Sequence, residues 1–181
     1  LYGALHLAVE EAISSELTVT GKYVGLKTEQ AYDSSLRLDK MDTEDILNLL
    51  NKAEIESALQ LQQSVPNLCT AVEAMLPRLK DGGRLIYVGC GTSGRLAAVD
   101  TVELSCTFGF PRERVLTFIS GGIADAAIDI ETRFEEDASA VPDLLIANIT
   151  EKDCVVGISV SGTATYVLSA LAYAKSVGAY T

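Results

Sequence analysis

Short apolar runs alternate with stretches in which apolar residues recur every three or four positions, and this alternation begins after residue 82. Arg84 to Val88, Val115 to Ser120 and Cys154 to Val160 are the runs, and continuous apolar character over so few residues predicts parallel strands buried on both faces. Helical periods cover Ser93 to Cys106, Ile123 to Ala147 with a break near Pro142, and Tyr166 to Val177. Strand and helix, three times over, predict an α/β fold with a doubly wound parallel sheet, in which ligands lie at the carboxyl ends of the strands.

Upstream the pattern is helical. From Asp42, with Glu44 and Asp45 in the first turn, Ile46, Leu49, Leu50 and Ala53 form an amphipathic stripe with acids at its positive end. Pro66 suits the first turn of a second helix, with Cys69, Val72, Met75, Leu76 and Leu79 as the expected buried face and Gly82-Gly83 as its stop. The resulting division is a tail or linker over 1–25, a helical hairpin within 26–81 and the α/β domain over 82–181. The tail, with the lone His6, reads as the end of a preceding segment, and Val177 to Thr181 as the approach to a further strand, so the chain is expected to be a piece of something longer.

Composition narrows the partners. A formal net charge of −11 repels nucleic acid and anionic membrane surfaces, and no basic patch offsets it. No apolar run reaches the ~20 residues that span a bilayer. A small anion remains compatible, because a few main-chain amides can hold one whatever the global charge. Cys69, Cys90, Cys106 and Cys154 lack CxxC spacing and have only His6 as a possible imidazole companion, which argues against a metal site. They read as buried free thiols in a reducing, cytoplasmic protein.

Two turns carry the candidate chemistry. Gly91, Thr92, Ser93, Gly94 and Arg95 follow the first strand and open a helix, with glycines that admit an anion to the backbone and hydroxyls that donate to it. The same glycines would also serve a tightly packed turn. Together with Gly89 they spell a dinucleotide fingerprint, but the second strand ends Ile119-Ser120-Gly121-Gly122, without the acid that holds a ribose. Ser159, Ser161, Gly162 and Thr163 form the second turn, after the third strand. If those two strands are neighbours, both turns converge on one phosphate-binding crevice.

These turns resemble the sugar-isomerase (SIS) family, a flavodoxin-like doubly wound sheet whose phosphosugar pockets are built from the same two turns. Leu38-Asp39-Lys40-Met41, Gly83 to Gly89, Gly91 to Leu96, Thr107-Phe108-Gly109 and Val155 to Ile158 are similar to the N-acetylmuramic acid 6-phosphate etherases and their relative, the glucokinase regulatory protein. The resemblance implies a lyase that eliminates D-lactate from a phosphorylated amino sugar and adds water to leave N-acetylglucosamine 6-phosphate, with no metal or other cofactor. It also implies a homodimer whose site draws on both subunits. The alternative from the same group is a sugar-phosphate sensor that controls a partner kinase.

Such an elimination needs a base for the C2 proton and an acid for the leaving alkoxide. Glu103 matches the family's proton donor, and apolar Leu96, Val99 and Cys106 around it are expected to desolvate it. The family's second acidic pair falls on Phe134 and Glu135, so Glu135 is the candidate base, with Glu131 and Glu136 as substitutes. After the third strand, Thr163-Ala164-Thr165 stands where the family has Arg-Thr-Pro, which alters the charge beside the ligand.

Overall fold

In the computed structural model, residues 25–30, 37–122 and 139–181 are described. The three apolar runs form β1 (Leu85–Gly89), β2 (Val115–Ile119) and β3 (Cys154–Ile158). All pairing is parallel in the order β2-β1-β3, with Gly89 level with Ile119 on one side and Ile158 on the other. β1 is therefore the central strand, and its Ile86 and Val88 are wholly buried.

Alternation along the strands sorts two helical layers. Tyr87, Thr117 and Ile119 face α3 (Gly91–Cys106), where they meet Asp100, Thr101 and Gly94. On the other face Ile86, Val88 and Val155 pack with Leu144 of α4 (Val141–Ile146) and with Tyr166, Val167, Ala170 and Ala174 of α5 (Thr165–Ser176). Gly157 lets α5 come close: a Cβ there would stand 2.7 Å from Val167 Cγ1. The expected doubly wound α/β arrangement is present.

β3 ends two residues short of the expected Val160, because the Ser159 hydroxyl accepts from Gly162 N–H and bends the chain. Near Pro142 a helix starts instead of breaking; proline in the first turn forfeits only an amide that the helix would leave unpaired. The expected helical residues 123–138 lie outside the described ones. Beyond α5, Tyr180 pairs in parallel with Cys154, exchanging Tyr180 N–H to Asp153 C=O and Val155 N–H to Tyr180 C=O.

The chain divides into two compact units at Val65/Pro66. In the first, α1 (Thr43–Gln62) is capped by Asp42, whose side chain accepts from Asp45 N–H at 2.9 Å. In the second, α2 (Val65–Lys80) does not bury the face expected of it: Cys69, Val72 and Leu76 are exposed, and no residue of the helix is fully buried. Its attachment runs instead through carbonyls near its end, with Arg114 donating to Leu79 C=O and Gly83 N–H to Arg78 C=O.

At the amino end of the sheet, Asp153 is buried and accepts from the Arg84 guanidinium, from Arg84 N–H and from Thr150 N–H. Arg84 in turn donates to the carbonyls of Ala147 and Asn148. One buried carboxylate thus ties the start of β1 to the loop that precedes β3.

Candidate functional site

Because Gly89 and Ile158 are level in neighbouring strands, the turns that follow them leave the sheet together at its carboxyl edge. The strand order places β1 and β3 at the reversal point of the winding, where α3 departs over one face and α5 over the other. Both hydroxyl-rich turns named from the sequence therefore begin side by side at this edge.

Each turn presents a helix start without a side-chain cap. In α3 the first helical bond runs from Gly94 N–H to Cys90 C=O, so the amides of Gly91, Thr92 and Ser93 take no partner from the helix backbone. In α5 the first runs from Leu168 N–H to Ala164 C=O. Two positive helix ends thus lie at the same edge of the sheet, a setting that favours an anion.

The glycines divide between the two roles open to them. Gly89 and Gly94 serve packing: a Cβ on Gly89 would lie 2.7 Å from Gly94 N, and one on Gly94 2.8 Å from Ile119 Cγ2. Gly91 and Gly162 serve conformation, with φ of 50° and 70°, and the space beside Gly162 is open. Hydroxyls are oriented locally: Ser161 and Thr163 share a hydrogen bond at 2.8 Å, Thr163 N–H donates to Ser161 Oγ, and Arg95 donates to Thr92 Oγ1 at 2.8 Å.

Glu103 stands elsewhere. It lies twelve residues beyond Gly91 on α3, which at the rise of an α-helix is ~18 Å along the axis from the crevice. Its carboxylate is exposed and accepts from Thr107 Oγ1 at 2.6 Å. The expected desolvation by its helical neighbours is absent from a single chain, since Leu96 and Val99 are 64% and 61% exposed and Cys106 is exposed too. Glu135, its substitutes Glu131 and Glu136, Phe134 and His6 lie outside the described residues. None of the four cysteines forms a disulfide; Cys90 and Cys154 are buried as expected, whereas Cys69 and Cys106 are not.

Two tyrosine–aspartate pairs were not singled out by sequence. Tyr87 of β1 donates to Asp100 of α3 at 2.6 Å, and Tyr166 of α5 to Asp143 of α4 at 2.5 Å. Burial first, and the adjacent carboxylate second, push both phenols above their ordinary range. No motif joins the partners in sequence, so only the crossing of elements reveals the pairs. Among the described residues no helix is long and apolar enough to cross a membrane.

Comparison with known proteins identifies the family. Residues 67–175 match the family described as the glucokinase regulatory protein N-terminal SIS domain. The chain is 39% identical over 86% of its length to an N-acetylmuramic acid 6-phosphate etherase of Caldanaerobacter subterraneus subsp. tengcongensis, covering 51% of that protein. It is 41% identical over 86% of its length to the protein of that name from Halalkalibacterium halodurans, covering 52%, and 38% over 86% to that of a Geobacillus species, covering 53%. The chain spans about half the length of the curated relatives it matches.

Proposed function

Because the chain belongs to the SIS-domain family, in the group that joins the glucokinase regulatory protein to the N-acetylmuramic acid 6-phosphate etherases, we propose that it is the sugar-phosphate-binding half of an etherase. The observation that carries this reading is the level pairing of Gly89 with Ile158, which brings both hydroxyl-rich turns to one crevice. Thr92 and Ser93 with the amides of α3, and Ser159, Ser161 and Thr163 with those of α5, hold the phosphate and neighbouring sugar hydroxyls.

In the proposed reaction a carboxylate base, Glu135, takes the C2 proton, the C3–O bond breaks, and the departing lactyl oxygen takes a proton from Glu103. Water then adds at C3 to leave N-acetylglucosamine 6-phosphate. Since Glu103 is ~18 Å from the start of its own helix, the crevice it serves is that of a second copy. The outer face of α3 supports this pairing. Leu96, Val99 and Val102 are more than half exposed around Glu103, as is Phe108 just beyond the helix, and a partner covering them would desolvate the acid. Four cysteines outside any disulfide suit a cytoplasmic home.

The test is D-lactate release from N-acetylmuramic acid 6-phosphate by the full-length protein, compared with Glu103→Gln. No release above that variant ends the reading. A second reading, a non-catalytic sensor that binds a sugar phosphate and controls a kinase, is favoured by Phe134 at the place of a family acid. Calorimetry with fructose phosphates and a kinase pull-down separate the two.

A further inference from the structure

A cavity of about 360 Å³ opens at the carboxyl end of β2, walled by Phe118, Ile119, Gly121 and Gly122 and closed by Asp143 and Tyr166. It adjoins the crevice. Ser120 N–H donates to Gly89 C=O, joining the end of β2 to the strand that feeds the first turn, and Tyr166 is the second residue of the helix that the second turn opens. Its size is at the lower end of small-ligand sites, which run to roughly 300–1,000 Å³.

The chemistry of the lining is selective. Among the described residues it contains one carboxylate and no cationic side chain, a set that disfavours a phosphate and accepts hydrogen-bond donors. Tyr166, 3% exposed, donates to Asp143 Oδ2 and fixes the carboxylate, while among the described residues Asp143 Oδ1 accepts no hydrogen bond. Phe118, which packs on the same side of the sheet as α4 and α5, supplies an apolar wall suited to the C–H face of a sugar ring. The rim is backbone at Gly121 and Gly122, both in the left-handed region, and a Cβ on Gly122 would meet nothing within 4 Å.

We propose that this cavity is the subsite for the hydroxyl and amide N–H groups of the ligand, with the Asp143 carboxylate as acceptor and Tyr166 as the residue that positions it. The proposal rests on the phosphosugar reading of the neighbouring crevice. It divides recognition in two: amides and hydroxyls of the turns take the phosphate, and the acidic cavity takes the donor-bearing end of the sugar.

Calorimetry on the full-length protein separates these contributions, with N-acetylglucosamine 6-phosphate and inorganic phosphate as the two probes. Asp143→Asn is expected to weaken the sugar phosphate by about tenfold or more, the size of a lost hydrogen bond to a charged group, and to leave inorganic phosphate unchanged. Tyr166→Phe, which leaves the carboxylate in place but unanchored, is expected to give a smaller loss in the same pattern. Unchanged sugar-phosphate affinity in Asp143→Asn, or equal losses for both probes, overturns the subsite. Should Asp143→Asn fail to fold, Tyr166→Phe decides alone, and unchanged affinity there overturns it. A wild type that binds the sugar phosphate no more tightly than inorganic phosphate overturns the subsite while sparing the crevice; one that binds neither overturns both.

Discussion

Arg84, just before β1, and Asp153, just before β3, close on each other across the sheet, with Nε to Oδ1 at 3.0 Å and Nη2 to Oδ2 at 2.7 Å. The contact is local in space but spans much of the α/β unit in sequence, so it fixes β3 beside β1 at the end opposite the crevice.

Asp153→Asn leaves the Arg84 guanidinium facing a neutral amide. Removing one partner of a buried pair costs about 3–5 kcal/mol, and the low end is expected because Arg84 keeps 25% of its side-chain surface exposed. Urea denaturation at neutral pH measures it.

The same pair sets an acid limit. Burial alone would push the Asp153 carboxyl up, but the hydrogen bonds from Arg84 and Thr150 outweigh it and hold the group below the usual carboxylate range. Its folded-state pKa thus lies below the unfolded value of about 3.9, so the contribution is complete above that pH and is lost as pH falls through the folded value. Denaturation midpoints taken from neutral pH downward should fall less steeply in Asp153→Asn than in wild type.

Gly94→Ala tests the contact between helix and strand. The added methyl would stand 2.8 Å from Ile119 Cγ2 and 3.0 Å from Gly89 O. Overpacking of this kind costs about 1–3 kcal/mol and outweighs the gain of up to about 1 kcal/mol from alanine's helix propensity. A lowered thermal midpoint with weaker phosphate binding is expected.

Subunit mixing tests the reach of Glu103. Full-length Glu103→Gln and Ser161→Ala chains, each impaired alone, should regain roughly a quarter of wild-type lactate release after joint refolding, because a symmetric mixed dimer has one intact site of its two. No regain above the two parents would place Glu103 and Ser161 of one chain in the same site.

The strands were legible because continuous apolar runs of five to seven residues leave little choice, and the two turns because glycine and hydroxyls follow those runs directly. Solvent exposure was not. Val72 and Leu76 of α2 and Leu96 and Val99 of α3 have the helical spacing of a buried face but lie bare in one chain, since periodicity marks an apolar face without saying what covers it. The cavity escaped because no motif marks Asp143 or Tyr166, and only the packing of α4 against α5 brings them together.

With no side chain between Gly89 and Gly94, the opening amides of α3 stand at a set height above β1 before any ligand arrives. On the proposed reading, an entering anion spends little of its binding energy on arranging the loop there. On that reading, differences in ligand preference among related chains would be written in Thr92, Ser93 and Arg95.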